Sequence, residues 1–262
     1  MRSPKTVKAR SHASLLEDTY KKFHKRDFVK PDPLQFLYSY ADVRDREIVG
    51  LIASSLALGR VSAIINIITS VLEKLPSPYY NINTYSENEL SDLFSNFKYR
   101  FYKPEDIICL LLAIKDVIQK FGSLNACFSS GYKDNHKTIH PALIVFVNNL
   151  NCNKQLKMIA DPSKNSACKR LMLYMRWMIR EDNIDPGGWV GIPKSKLIIP
   201  LDTHIYKISK MFNLTTRNDT GIKTALEITE NLKNIDRDDP IRFDFSLTRP
   251  GIHPDLDYGE FK

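Results

Sequence analysis

Apolar residues recur along this chain at intervals of three and four positions, and the two-residue alternation of strands is nearly absent. The pattern predicts helices throughout. Residues Ser11 to Arg26 make a short amphipathic helix with Leu15, Leu16, Tyr20 and Phe23 on one side, and the proline-marked segment PDPLQFLYSY follows. From Asp45 to about Leu58 the run REIVGLIASSLAL is apolar almost all round, as a buried central helix is. Gly59 breaks that run. A second helix, Val61 to Leu75, places Ile64, Ile65, Ile68, Val71 and Leu72 at helical spacing before Pro76 and Pro78 end it. Helices are also predicted over Glu87 to Phe97, over Pro104 to Phe121 with proline in the first turn, and over His140 to Leu150.

In the second half Pro162 introduces the turn SKNSA, and the helix Cys168 to Arg180 carries Leu171, Leu173, Met175, Trp177 and Met178. The loop DNIDPGGWVGIPKSK leads to a helix opened by Asp202 in LDTHIYKISKMF. Asp219 or Thr220 caps a further helix that runs to Leu232, and Asp239-Pro240 starts the last one. The predicted fold is all-α, with helices packed on helices around one core.

Composition narrows the function classes. With 43% apolar and 26% charged residues in 262, the chain is of ordinary globular make-up and long enough to bury a sizeable core. It has no stretch of membrane-spanning length, and its basic N-terminus precedes no signal-peptide core, so no membrane partner and an intracellular site are expected. Thirty-eight Lys and Arg against 30 Asp and Glu leave a net charge of +8, which favours phosphate-bearing partners. Cys109, Cys127, Cys152 and Cys168 form no C-x-x-C pair and have no histidine at zinc spacing. Reduced, mostly buried thiols and no metal or other cofactor are expected.

Two consecutive helix starts carry the candidate chemistry: Lys169 in the run SACKRLMLYMRWMIRED and Asp202 in LDTHIYKISKMF. A lysine there can act as nucleophile and an aspartate as its electrostatic partner. Each also has a plainer reading. Asp before Thr-His at a helix start serves as a simple N-cap, and a lysine on an apolar helix can reach outward to solvent.

The segment IIPLDTHIYKIS resembles the helix start of the helix-hairpin-helix DNA glycosylases of the endonuclease III superfamily, with Asp202 at the position of their catalytic aspartate. The segment EIVGLIASSLALGRVSAIINIITSVL is similar to that superfamily's buried helix pair. SACKRLMLYMRWM, a long loop and LDTH are together most similar to an uncharacterised bacterial family, distantly related to the archaeal 8-oxoguanine glycosylases. The resemblance covers roughly residues 35 to 250. It implies a two-lobed domain over residues 31–262 after an N-terminal helical extension, 1–30, with the central helices of about 60–185 in one lobe and the flanking helices in the other. It implies a monomer, in the cytoplasm with the nucleoid, that acts on double-stranded DNA carrying a damaged purine such as 8-oxoguanine. Lys169 and Asp202 become its catalytic pair, and the DNA-facing set is Leu58, Arg60, Asn165, Ser166, Arg170, Trp189 and His204.

In that set, Leu58-Gly59-Arg60 would fill the vacated base stack, Trp189 would anchor its loop or stack on a base, and Arg170 would help to lower the pKa of Lys169 from about 10.4. The sequence departs from the superfamily before the lysine, where Asn165 and Ala167 stand at the hairpin's two glycine positions and Ala167 would be strained at positive φ. Cys168 is the last cysteine, so the C-terminal iron–sulfur loop of endonuclease III has no counterpart. Lys223 in GIKTALEI and Lys164 are alternative nucleophiles, although Lys223 follows Asp202 where the family's lysine precedes it. Two other functions stay open: a catalytically silent nucleic-acid-binding protein, and a helical protein-interaction adaptor.

Overall fold

A computed structural model describes residues 12–151 and 156–252. Residues 1–11, Cys152 and 253–262, which fall within the expected extension, the cysteine set and the end of the domain, lie outside the described residues. Within them the fold is all-α, with isolated bridges in place of strands.

The first half contains α1 (His12–Phe23), α2 (Val43–Leu56), α3 (Val61–Glu73), α4 (Pro78–Thr84), α5 (Glu87–Leu93), α6 (Pro104–Phe121), α7 (Leu124–Ser130) and α8 (His140–Leu150). The second half contains α9 (Lys169–Ile179), α10 (Thr203–Met211), α11 (Ile222–Lys233) and α12 (Asp244–Ile252). Central α2 is the apolar run seen in the sequence, and every residue from Glu47 to Leu56 is buried. It packs on α9, α3, α4 and α7 and on the tight helical turn Pro33–Ser39. Helices α4 to α8 also pack among themselves, while α1 and α10 both pack on α12.

Several boundaries are set by groups far away in sequence. Helix α4 follows α3 almost at once. Pro78, expected to end α3, is also a first-turn residue of α4, and the Asp45 carboxylate of α2 accepts from the Tyr79 N–H at 2.7 Å. Helix α7 starts where Ser123 Oγ accepts from Ala126 N at 2.9 Å, and buried Glu47 accepts from Leu124 N at 2.9 Å and Asn125 N at 3.0 Å. Neither helix is marked by a long apolar run, so periodicity does not find them. Helix α5 stops at Leu93, short of the expected Phe97. The next helix-capping residue after α10 is Gly221, although Asp219 still accepts from Gly221 N at 2.9 Å and from Thr224 Oγ1 at 2.9 Å.

The last helix begins at Asp244 instead of Asp239-Pro240. Asp239 is held elsewhere: it accepts from Arg180 Nε at 3.0 Å and pairs with Lys194 at 3.3 Å. Arg176 and Arg180, one helical turn apart on α9, are both buried. Arg176 meets Asp185 at 3.1 Å and also Asp244, while Arg180 meets Asp185, Asp239 and, at 2.6 Å, Asp182. His24 Nε2 reaches Asp182 at 3.1 Å, and Arg242 pairs with Glu17 of α1. This ionic seam fastens α9, the 182–186 turn, α12 and the N-terminal helix to one another. Buried charges of this kind need partners on every side.

Candidate functional site

A cavity of about 710 Å³ opens where the C-terminal end of α2 meets the first turns of α3, α9, α10 and α12. That volume suits one small ligand or one nucleoside. The first turns of these four helices border one space, and the positive ends of their dipoles favour anionic groups there.

Asn165 to Cys168 set the approach to α9. Ser166 Oγ accepts from Cys168 N at 3.1 Å, and Cys168 takes the left-handed conformation, φ 47° and ψ 43°. The sequence reading expects this strain on Ala167. It falls instead on the residue next to the helix, and Ala167 is buried with φ outside the positive region. Gly221 closes the turn from below. A Ser166–Gly221 bridge joins it to the turn, Ile222 N donates to Asn165 O at 3.3 Å, and a Cβ added at Gly221 would sit 2.8 Å from that oxygen. Thus GIKTALEI, read from sequence as a rival catalytic segment, buttresses the turn before Lys169.

Lys169 is the first residue of α9 and Asp202 the N-cap of α10. Lys169 Nζ lies 2.7 Å from Asp202 Oδ2. Asp202 Oδ1 accepts from His204 N at 2.9 Å and Ile205 N at 2.8 Å. Burial alone would push the Asp202 carboxyl upward, but the Lys169 ammonium and the backbone N–H bonds outweigh it and hold the group below the ordinary carboxylate range. The lysine side chain keeps 39% of its exposure and the aspartate 15%, so the pair borders the cavity without being sealed. Lys164 is exposed and 3.9 Å from Asp161, Lys223 is exposed on α11, and neither lines the cavity.

Arg170, Ser166, His204, Leu58 and Arg60 line the cavity with them. Arg170 donates to Ser55 O at the end of α2 and to Tyr102 Oη, the latter at 3.0 Å. Leu58 O accepts from Tyr99 Oη at 2.8 Å, and Gly59, at φ +123°, lets the Arg100 side chain lie where a Cβ would otherwise meet it at 2.8 Å. Asn165 is exposed at the approach turn and is not among the lining residues.

Trp189 leaves the DNA-facing set. It is buried among Phe128, Phe146 and Tyr174, and its indole N–H donates to Glu47 at 2.9 Å. Arg46 holds the carbonyls of Pro186 and Gly187 at 3.2 Å each, and the N–H groups of Gly187 and Trp189 bond Trp177 O and Met178 O. The loop is therefore laid along the end of α9, with the anchor reading of Trp189 in place and the stacking one excluded.

Four charged cavity residues were not singled out from sequence: Asp32, Arg176, Asp244 and Arg249. Arg249 Nη2 donates to Asp32 Oδ2 at 2.9 Å. Asp244 is buried; one oxygen meets Arg176, and the other, Oδ1, has no hydrogen-bond partner. Burial raises its carboxyl to about 6 against the opposing pull of Arg176. Two arginines on an otherwise apolar helix were the available signal, because buried arginines require buried carboxylates.

Residues 32–253 match the model of a family described as a protein of unknown function (DUF2400). The chain belongs to the DUF2400 family. The matched span of this DUF2400 chain holds all five helix ends around the cavity, whereas α1 lies before it. No curated protein and no solved structure matches the chain.

Proposed function

We propose that this DUF2400 chain is a DNA glycosylase of base-excision repair that removes a damaged purine, such as oxidised guanine, from double-stranded DNA. One observation carries the reading: a lysine and an aspartate at consecutive helix starts, 2.7 Å apart, on the rim of a nucleoside-sized cavity. The +8 net charge, the converging helix starts and the cationic Arg60 and Arg170 beside the cavity are what a phosphate-bearing substrate needs.

In this reading the damaged nucleotide is flipped out of the duplex into the cavity. The resting ion pair opens, Lys169 in its neutral form attacks C1′, and the base leaves with the electron pair of the broken C1′–N bond. Asp202, kept ionised by its helix start, stabilises positive charge as it develops on the sugar and takes the proton from the new C–N nitrogen. The C1′–O4′ bond of this aminal then breaks, its ring oxygen taking the proton back from Asp202, and the resulting Schiff base can go on to strand scission.

Borohydride reduction tests this, since it traps a lysine Schiff base on abasic or 8-oxoguanine duplex. The wild type is expected to give a covalent adduct, Lys169→Gln none, and Asp202→Asn a much reduced yield. Duplex binding without any adduct from the wild type would favour a catalytically silent DNA-binding protein, and undiminished trapping by Lys169→Gln would remove the nucleophile assignment.

A further inference from the structure

We propose that Asp244 is a third catalytic residue, the general acid that hands its proton to the departing base; this rests on the glycosylase reading above. The geometry is specific. Asp244 opens α12 and borders the same cavity as Lys169 and Asp202, yet belongs to a different helix from either. Its two oxygens have unlike surroundings. One is fixed by the Arg176 guanidinium, and Oδ1 is buried with no hydrogen-bond partner. A buried carboxylate oxygen left bare costs free energy, whereas a carboxylic acid there is stable, and a ligand atom filling the cavity supplies the missing partner.

The charged and titratable groups around it set its proton. From α9 come Arg176 and Lys169, from α10 Asp202 and His204, and from its own helix Arg249, which is neutralised by Asp32. Helix α1, packed on α12, brings Tyr20, His24 and Glu17, the last occupied by Arg242. Arg176 is shared with Asp185, so its charge is divided between two carboxylates. The outcome is a carboxyl raised to about 6, of which roughly a tenth stays protonated at pH 7.

The step balances without any further reagent. As the Lys169 nitrogen forms its bond to C1′, the C1′–N bond breaks and its electron pair goes to the purine; the Asp244 proton moves onto a ring nitrogen, so the base leaves neutral and Asp244 becomes a carboxylate held by Arg176. Asp202 receives the surplus proton from the lysine nitrogen. An abasic site has no base to expel. Asp244 is therefore needed for base removal and not for Schiff-base formation at an abasic sugar.

That asymmetry is the test. Single-turnover base release from an 8-oxoguanine duplex is compared with borohydride trapping on an abasic duplex, for wild type, Asp244→Asn and Asp244→Glu. Asp244→Asn should slow base release by about a hundredfold or more while trapping stays within about twofold, and Asp244→Glu should restore much of the release. Release and trapping both need neutral Lys169 and only release needs the Asp244 proton, so in the wild type the ratio of base release to abasic trapping should fall by roughly tenfold per pH unit above about 6. Unchanged release by Asp244→Asn, equal loss of release and trapping, or a wild-type ratio of release to trapping that stays flat between about pH 5.5 and 8 would each overturn the assignment. The wild-type profile stands even where the variant does not fold. If the wild type traps no abasic duplex, the glycosylase reading falls and the Asp244 role with it; if it traps but releases base independently of Asp244, only the latter falls.

Discussion

Asp202 uses its two oxygens differently: Oδ1 caps α10 through two backbone N–H groups, and Oδ2 holds Lys169. The capping and catalytic readings of the sequence are thus compatible, and substitutions can separate them. Asp202→Asn keeps a capping oxygen and removes the charge, so the melting temperature should fall less than in Asp202→Ala while borohydride trapping falls steeply. Asp202→Ala removes both, and should also cost about 0.5–2 kcal/mol of stability in denaturant unfolding. The pair has a pH signature as well. Because the folded carboxyl lies below its ordinary 3.8, its contribution to stability is present above that value and is lost as pH falls through the lower folded one. Asp202→Asn should therefore be somewhat less stable than the wild type in the neutral region, and the two should converge as pH falls below about 4.

Helices with long apolar runs were legible from sequence, and α3, α6, α8 and α9 lie within a residue or two of expectation at both ends. Short α4 and α7 were not, since each is started by a carboxylate on α2 more than 30 positions earlier. The same limit hid Asp244: nothing local distinguishes it, and only the fold brings Arg176 to it. Glu47 shows how much one such group carries. It is buried on α2, accepts from two N–H groups of α7 and from the Trp189 indole, and its burial pushes the carboxyl up against those donors. Glu47→Ala strands three donors at once and should destabilise the protein by at least about 3 kcal/mol in urea titration, with Glu47→Gln losing less. A loss under about 1 kcal/mol would mean water takes over the donors.

At the scale of the molecule, the ionic seam of Arg176, Arg180, Asp182, Asp185, Asp239 and Asp244 runs through the interior, and the cavity opens at one end of it. Asp185 serves both arginines and is fully buried. Asp185→Ala leaves two buried guanidinium groups short of a partner and should cost about 3–5 kcal/mol, read as a fall in melting temperature. Charge on the outside acts otherwise: duplex affinity should drop steeply between low and physiological salt, and a flat salt dependence would speak against phosphate contacts. The packing of α1 on α12, with His24 on Asp182 and Glu17 on Arg242, has a practical side. The family match begins at residue 32, yet the helix packed on α12 begins at His12. A recombinant fragment trimmed to the homologous span would bare the outer face of the helix that begins at Asp244, and is expected to aggregate where the longer chain does not.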